Sequence, residues 1–402
     1  MGAVHRPVKP VARILALVVL CLLTGELSLR AAGALWASAR PFVAHHRVTD
    51  ERLGWRLNPA YTDVDKWCFR NTVVPEHADI VILGDSQTYG YGVAPEKNWP
   101  RQLSALIGRS TYNIACSGYS PVHGLALWTD VASLTPRFVV AAIYAGNDLY
   151  DTFNLVYGHG QLAHLRSTES ALQTAIAALE AARPLAEQAR LVTRMGRTPW
   201  PLRDLLRNHS ALFHFVRQLD GGSTALAARQ EGSWRATRER AEQHPDYLHA
   251  HDGGAGLRTT LTIAKRLLPM DTSDPRIDEG LRMTLRGLRE MSRRSAAIGT
   301  RFLVLWIPTK ELVFAPLVPT ESMPGFRRLI EIETDLRRQV LETAVDLDVS
   351  FVDALPALRR SLQEGEEPYP DTADGHPTEI GYTRIAGVVA GALAGRWESP
   401  GL

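Results

Sequence analysis

Apolar runs and amphipathic stretches alternate along most of the chain and predict strands and helices in turn. The predicted strands lie at 79–84, 111–115, 138–144, 301–307 and 350–352. The predicted helices lie at 98–108, 124–134, 276–297, 327–346 and 379–395. The run at 138–144 is almost wholly apolar, which is typical of a central strand in a parallel sheet. The alternation predicts an α/β fold with a doubly wound, mainly parallel five-stranded sheet and helices on both faces.

Residues 151–280 break this alternation and predict a helical insertion. The stretch 168–195 is rich in Ala, Leu and Glu at helical spacing, and 201–218 has a similar pattern. The stretch 241–257 is rich in His, Asp and Gly and predicts a loop.

The N-terminal 39 residues have the pattern of a signal sequence or signal anchor. A basic leader precedes the apolar run Ile14–Leu23. This run is about ten residues long, which is shorter than the ~20 residues of a spanning helix. The apolar tract resumes at Ala31–Ala39, after Glu26 and Arg30, which stand four residues apart and can pair on one helical face.

Three interpretations of this segment stay open. Ala37-Ser38-Ala39 would suit a signal peptidase but lies well beyond the apolar core, so an uncleaved anchor is favoured over a removed peptide. A buried helix of a soluble protein is least favoured because of the basic leader. We expect an anchor at 1–39, a connector at 40–78 and a domain at 79–402 that contains the insertion, with the bulk of the protein exported.

The composition is that of a folded protein without a nucleic-acid footprint. The 402 residues are 45% hydrophobic and 22% charged, with a net charge of +2. Cys21 lies in the N-terminal segment, and the spacing of the three cysteines resembles no zinc site. A disulfide between Cys68 and Cys116 is less favoured than free thiols. Nothing in the sequence implies a metal or a cofactor.

A turn after the first predicted strand nominates Ser86 as a nucleophile. Gly84 permits an unusual backbone angle, and Asp85 can bond local backbone groups. The residues after Ser86 can begin a helix, whose N-terminus favours developing negative charge. The alternative is an ordinary strand-to-helix turn.

The segment around His376 supplies a candidate base. Pro377 biases His376 towards an extended conformation, in which residues two apart project the same way. Asp374 can therefore lie beside His376, fix its tautomer and stabilise the imidazolium that forms when it takes a proton from a serine. The alternative is a surface loop rich in Asp, Gly and Pro.

Candidate oxyanion donors follow three different predicted strands. They are the Ser86 amide, the Gly118 amide and the Asn147 side chain. Since the carboxyl ends of parallel strands meet at one edge of a sheet, these groups are expected to lie together. A simple turn at Gly118 and an Asx turn at Asn147 are the alternatives.

These blocks resemble the SGNH hydrolase superfamily, also called GDSL-like esterases and lipases. The resemblance lies in Gly84-Asp85-Ser86, Gly118, Asn147 and the pair Asp374 and His376, and it covers about 79–150 and 298–395. It implies a flavodoxin-like three-layer α/β/α sandwich. It also implies Ser86 as nucleophile, His376 as base supported by Asp374, and oxyanion donors at Ser86, Gly118 and Asn147.

Two features depart from the usual family pattern. Ala145 stands where the third block usually has glycine. One residue separates Asp374 from His376, where many members have two. The shorter spacing resembles the SGNH-like domains of exported polysaccharide O-acetyltransferases.

The leading hypothesis is a serine esterase anchored in the bacterial inner membrane, with its catalytic domain facing the periplasm or exterior. It would act on ester groups, O-acetyl groups above all, through an acyl-enzyme. The close alternative is an O-acetyltransferase for a cell-surface polysaccharide, which would imply a membrane-bound acyltransferase partner. A non-catalytic module that binds glycan is the third hypothesis. The expected partners are an ester or acylated carbohydrate and the membrane, and not nucleic acid.

Further expectations concern residues outside these blocks. The insertion directly follows the Asn147 loop, so we expect it to form a wall or lid over the site. Lys310 is expected to form a structural ion pair rather than to bind an anionic acceptor. His123 and His209 are expected to be structural or exposed. Packing, rather than carbohydrate stacking, is expected of the tryptophans Trp55, Trp99 and Trp306.

Overall fold

A computed structural model describes most of the chain, namely residues 8–36, 46–61, 63–194, 206, 210–219, 233–254, 257–319 and 323–397. The strands are β1 (Arg47–Asp50), β2 (Gly54–Leu57), β3 (Ile80–Gly84), β4 (Thr111–Ala115), β5 (Phe138–Tyr144), β6 (His249–Asp252), β7 (Arg258–Leu261), β8 (Arg301–Ile307) and β9 (Ser350–Asp353). The helices are α1 (Val8–Leu35), α2 (Ser86–Tyr89), α3 (Trp99–Ile107), α4 (Pro121–Ala126), α5 (Trp128–Ser133), α6 (Asp148–Phe153), α7 (Ser170–Ala182), α8 (Leu185–Arg194), α9 (Ala211–Leu219), α10 (Ser233–Gln243), α11 (Ile263–Leu267), α12 (Pro275–Ala297), α13 (Lys310–Phe314), α14 (Phe326–Asp346), α15 (Leu355–Gln363) and α16 (Glu379–Leu393).

Five strands form the central sheet in the order β4-β3-β5-β8-β9. All neighbouring strands in it are parallel. This is the 2-1-3-4-5 order of a flavodoxin-like, doubly wound sheet. Every residue of β3 and β5 is buried, and because successive side chains point to opposite faces, both faces of the sheet are covered. The predicted α/β fold is confirmed.

Local capping explains why several helices begin and end close to the predicted positions. Asn98 accepts a hydrogen bond from the Arg101 amide at the start of α3, and Gly108 ends that helix with φ of 63°. The predicted helix at 124–134 is instead the pair α4 and α5. Leu127 lies between them with a non-helical backbone, so one amphipathic pattern covers two short helices.

Two antiparallel hairpins correct the sequence interpretation. The predicted loop at 241–257 contains β6, which pairs with β7 within the insertion. The connector contains the hairpin β1–β2, which packs on the domain through the buried side chains of Leu53 and Leu57. Much of the predicted helical stretch 201–218 lies outside the described residues, and α9 covers its end.

The N-terminal helix continues through the two charged residues that interrupt its apolar tract. Glu26 and Arg30 pair at 2.7 Å on one helical face, as their spacing predicts. Within the described residues, Ala12–Leu35 is the one helix long and apolar enough to cross a membrane. This length and composition fit a single anchor and a signal sequence equally. Ala37-Ser38-Ala39 lies outside the described residues.

The two cysteines of the folded part are free thiols, as the sequence favours. Cys116 is buried next to the end of β4, whereas Cys68 lies in the connector and is partly exposed. Burial raises the pKa of the Cys116 thiol to about 12, so it behaves as a small apolar side chain.

Candidate active site

The turn between β3 and α2 presents Ser86 at the carboxyl edge of the sheet. Asp85 caps α2, because its Oδ1 accepts a hydrogen bond of 2.8 Å from the Gln87 amide. The chain packs tightly before the turn, since a Cβ at Gly84 would lie 2.4 Å from Thr88 Oγ1. Close packing and the cap together fix the direction of the Ser86 side chain.

His376 and Asp374 lie beside Ser86, as predicted. The distance between His376 Nε2 and Ser86 Oγ is 2.9 Å, and His376 Nδ1 lies 2.5 Å from Asp374 Oδ1. The main-chain amide of His376 donates to the same carboxylate oxygen at 3.1 Å. With its Nδ1 proton directed to Asp374, His376 presents Nε2 to the serine hydroxyl as an acceptor. We call this chain of hydrogen bonds the Ser86–His376–Asp374 relay.

Asp374 stays ionised in this arrangement. Burial opposes its charge, yet the charge and hydrogen bonds of His376, with the charge of Lys310, lower the pKa of Asp374 to about 2. A carboxylate therefore faces the imidazole throughout the neutral pH range, which is the state that stabilises an imidazolium.

Lys310 anchors the loop that carries Asp374 and His376. Its buried Nζ donates to the carbonyl of Pro370 at 2.5 Å and to that of Thr372 at 2.7 Å. The predicted ion pair is wrong, because among the described residues the partners of Nζ within hydrogen-bond distance are these main-chain carbonyls. Burial lowers the pKa of Lys310 to about 8, opposed by nearby carboxylates such as Glu311 and Asp374.

Other contacts hold the same loop from different directions. Gln87 Nε2 donates to the Gly375 carbonyl at 3.3 Å, which ties the loop to α2. From the insertion, Thr260 Oγ1 donates to the Asp371 carbonyl at 2.7 Å. The ring of Tyr91 lies 4.6 Å from the ring of His376. These contacts join residues far apart in sequence, so no local pattern in the sequence indicates them.

The three candidate oxyanion donors line one cleft with His376. This Ser86 cleft has a volume of about 350 Å³, and its wall includes Ser86, Gly118, Asn147 and His376. Gly118 has φ of 83°, a conformation that favours glycine over residues with a Cβ. The structure therefore brings together all the residues nominated at the ends of β3, β4 and β5.

Asn147 already has carboxylate partners in this structure. Its Nδ2 donates to Asp151 Oδ2 at 2.5 Å, and its side chain also lies close enough to Asp85 to stabilise the charge of that carboxylate. Burial raises the pKa of Asp151 to about 7 and that of Asp85 to about 6. An oxyanion would compete with Asp151 for the Asn147 amide. Among the described residues, the main-chain amides of Ser86 and Gly118 make no hydrogen bond to either carboxylate.

The insertion forms part of the wall of the Ser86 cleft, as predicted. Helix α8 contributes Ala189 and Val192, and α11 contributes Lys265 and Arg266. Sequence reasoning missed Arg266 and Lys265, because both belong to a segment whose position over the sheet is set by tertiary packing.

The remaining singled-out residues have structural surroundings. His123 is buried, and its Nδ1 accepts a hydrogen bond of 3.0 Å from the Ser120 amide, while burial lowers its pKa to about 3. Trp99 and Trp306 are fully buried, and Trp55 packs against Tyr119 with ring centroids 5.5 Å apart. His209 lies outside the described residues. The described residues contain no cluster of three or more His, Cys, Asp or Glu suited to a metal ion.

Comparison with known families agrees with this geometry. Residues 82–257 match the model of the GDSL-like Lipase/Acylhydrolase family. The chain carries a GDSL-like hydrolase domain. The matched range contains Ser86, Gly118 and Asn147 and ends before Asp374 and His376, which reach the GDSL-like site only through the fold. A comparison with curated proteins gives no match.

Solved structures with some likeness to this GDSL-like hydrolase include three bacterial or metagenomic proteins. A lipolytic protein of the G-D-S-L family from Desulfitobacterium hafniense DCB-2 is 11% identical, with 78% of this chain and 98% of that chain covered and a TM-score of 0.36. A catalytic mutant of an acetylxylan esterase from Geobacillus stearothermophilus is 12% identical (80% and 96%, TM-score 0.36). An α/β hydrolase from the metagenome of Lake Arreo is 14% identical (79% and 96%, TM-score 0.34). Because these TM-scores are low, the likeness supports no inference about the substrate of this chain.

Proposed function

We propose that the protein is a serine esterase that removes short acyl groups, O-acetyl groups above all, from a carbohydrate at the cell envelope through an acyl-enzyme. The observation that carries this proposal is the Ser86–His376–Asp374 relay, with distances of 2.9 Å and 2.5 Å between successive side chains. An activated serine beside an oriented imidazole is the arrangement that nucleophilic acyl transfer requires.

In the first half of the reaction, Ser86 Oγ attacks the ester carbonyl carbon while His376 Nε2 takes the hydroxyl proton. Asp374 stabilises the imidazolium that results. The amides of Ser86 and Gly118 receive the carbonyl oxygen as it gains charge, and Asn147 joins them once one of its carboxylate partners is displaced. His376 then returns the proton to the leaving alkoxide, and the acyl group stays on Ser86.

In the second half, water takes the place of the departed alcohol. His376 removes a proton from the water as its oxygen attacks the acyl carbon. The tetrahedral intermediate collapses, the carboxylic acid leaves, and the proton on His376 returns to Ser86 Oγ. The same carboxylate and oxyanion donors serve both halves, so the relay ends in its starting state.

The size of the cleft and the N-terminal helix support the substrate and location. A volume of about 350 Å³ lies at the small end of ligand pockets, which suits a short acyl group better than a long lipid chain. The apolar helix Ala12–Leu35 is long enough to anchor the domain at a membrane surface.

Turnover of p-nitrophenyl acetate tests the proposal with the full-length chain in nonionic detergent. Ser86→Ala is expected to lower kcat by about 10³-fold or more, because loss of a nucleophile removes the acyl-enzyme route. Ser133→Ala is the matched control, since Ser133 is exposed at the end of α5 and its hydroxyl donates to the local Asp130 carbonyl. Equal rates for wild type and Ser86→Ala would contradict the proposal.

Acetyl transfer to a sugar hydroxyl is the second candidate function. It is favoured by the one-residue spacing between Asp374 and His376 together with the N-terminal helix. Transfer differs from hydrolysis only in the nucleophile that resolves the acyl-enzyme. With an oligosaccharide added, acetyl on the sugar appearing faster than free acetate indicates transfer, and the reverse indicates hydrolysis.

A further inference from the structure

Arg266 is a buried cation whose guanidinium has no hydrogen-bond acceptor among the described residues. Its side chain is 8% exposed, and its Nε is buried without a hydrogen-bond partner. The nearest carboxylate oxygen, Glu311 Oε2, lies 3.6 Å from Nε, which is too far for a hydrogen bond. Buried donors that make no hydrogen bond are costly even beside an ion-pair partner, so an acceptor brought by a ligand would stabilise this group.

The guanidinium lies in the wall of the Ser86 cleft, beside the loop that carries His376. A Cβ at Gly375 would lie 2.1 Å from Arg266 Nη2, so the guanidinium packs directly against the main chain of Gly375. On another side, the ring of Tyr144 lies 5.5 Å from the guanidinium carbon. These neighbours restrict the guanidinium to one place in the same cleft as the serine hydroxyl.

Glu311 is the buried ion-pair partner of Arg266, but its Oε2 accepts no hydrogen bond from the guanidinium or from another group among the described residues. The other oxygen of Glu311, Oε1, accepts hydrogen bonds from the amide and hydroxyl of Thr262 at 2.9 and 3.1 Å. The carboxylates of the cleft itself have other partners as well, since Asp374 holds His376 and Asp151 accepts from Asn147. Among the described residues, therefore, no carboxylate accepts a hydrogen bond from the guanidinium.

A carboxylate is a ligand that fits this fork. Guanidinium donors form two parallel hydrogen bonds with the two oxygens of a carboxylate, which a single hydroxyl or carbonyl oxygen cannot satisfy. Lys265, on the same helix α11, also lines the cleft and adds positive charge. Apolar neighbours from the insertion, such as Val192 and Leu268, lower the local dielectric constant and strengthen such a contact.

We propose that Arg266 is a specificity-determining residue that binds a carboxylate of the substrate, so that the enzyme acts on esters of acidic molecules. The inference rests on the proposed function, because the same cleft must deliver the ester to Ser86. It adds the substrate class, an ester whose alcohol portion carries a carboxylate.

The test compares charged and neutral esters with the same acyl group. The 3- and 4-acetoxybenzoates are paired with their methyl esters, and each kcat/KM is divided by the rate constant of hydroxide-catalysed hydrolysis. With the full-length chain in nonionic detergent, Arg266→Gln is expected to lower the ratio of charged to neutral kcat/KM by about tenfold or more for at least one isomer, the scale of a lost charge-assisted contact. Arg266→Lys should retain part of the ratio.

The matched control is Arg258→Gln. Arg258 is also an arginine of the insertion, but its side chain is 49% exposed and faces Asp252 rather than the cleft. The ratio of charged to neutral kcat/KM in Arg258→Gln should equal that of the wild type. An unchanged ratio in Arg266→Gln for both isomers, including an equal loss on charged and neutral esters, would overturn the inference.

A second measurement needs no variant to fold. Benzoate should inhibit wild-type turnover of p-nitrophenyl acetate competitively at a concentration at least about tenfold lower than benzamide does. Equal inhibition by the two compounds would overturn the inference. Failure of the Arg266 inference can be told apart from failure of the proposed function. Turnover that persists in Ser86→Ala contradicts the esterase proposal. Turnover that depends on Ser86 but shows no preference for charged esters contradicts only the role of Arg266.

Discussion

Replacing Lys310 with methionine tests whether the buried ammonium positions the loop that carries Asp374 and His376. The ammonium donates to the Pro370 and Thr372 carbonyls at 2.5 and 2.7 Å. Thr372 lies two residues before Asp374 and four residues before His376. Methionine has a similar length and no donors, so it fills the space while leaving both carbonyls without this partner.

The magnitude follows from two opposing terms. Hydrogen bonds to a charged group contribute about 1.5–3 kcal/mol each, so the two together contribute about 3–6 kcal/mol. Against this, the pKa of Lys310 is lowered from 10.5 to about 8, which corresponds to about 3 kcal/mol against the charged form in its buried site. Lys310→Met should therefore lower the free energy of unfolding by about 0–3 kcal/mol, and the domain should still fold.

Activity should fall as well, because the loop carries the base of the relay. A loop displaced by about 1 Å misaligns His376 against Ser86 and costs up to about 10²-fold, so we expect kcat of Lys310→Met to fall by about 10- to 100-fold with a smaller change in KM. The assay is p-nitrophenyl acetate turnover, with urea unfolding on the same samples. Lys97→Met is the matched control, because the Lys97 ammonium is exposed and pairs with Glu379 at 2.6 Å on the surface.

The pH dependence of stability gives a second readout. The folded-state pKa of Lys310, about 8, lies below its ordinary value of 10.5, so the wild type gains stability as pH rises between these values and the ammonium loses its proton. Lys310→Met should lack this gain. A kcat within twofold of wild type would refute the positioning role, whatever the change in stability.

Three further outcomes follow from the geometry. Asp374→Asn should lower kcat by about 10²- to 10⁴-fold, because an amide cannot stabilise the His376 imidazolium, and a rate equal to wild type would contradict this. Burial raises the pKa of Glu333 from 4.5 to about 7, so the wild type should lose about 3 kcal/mol of stability as pH rises between these values. Glu333→Gln should not show this pH-dependent loss. Parallel curves of stability against pH for the two proteins would contradict the prediction. Gly118 has φ of 83°, so Gly118→Ala should move its main-chain amide and lower kcat at least about tenfold. The control Gly108→Ala, at φ of 63° at the end of α3, should cost only about 1–2 kcal/mol of stability. Equal kcat in the two variants would contradict the placement of Gly118 at the oxyanion.

The sheet could be predicted from the sequence because its strands are continuous apolar runs. Both faces of β5 are covered, so nearly every position in it is apolar and the strand is visible without an alignment. The hairpins could not be predicted in the same way. The strand β6, His249–Asp252, is short and polar, and its pairing with β7 depends on tertiary contacts rather than on a two-residue alternation.

The candidate site could be predicted only in part for a related reason. Ser86 and Asn147 stand at the ends of predictable strands, and His376 stands in a loop that the resemblance indicates, so their meeting is foreseeable. The positions of Lys310 and Arg266 depend on main-chain carbonyls and on the packing of the insertion. No residue type or spacing in the sequence records such contacts. The hydrogen bond from Asn147 to Asp151 could not be predicted from the sequence either. The oxyanion role of Asn147 stays a prediction, because an oxyanion would compete with this carboxylate.

Mass spectrometry of the trapped acyl-enzyme shows directly whether Ser86 is the nucleophile. The full-length chain in nonionic detergent is mixed with p-nitrophenyl acetate, quenched in acid within the first turnovers and digested. We expect an acetyl group on Ser86 in the wild type and none at this position in Ser86→Ala, with a fluorophosphonate marking the same serine. Rapid ester turnover with both labels absent from Ser86, or with the acetyl group on another residue, would contradict it.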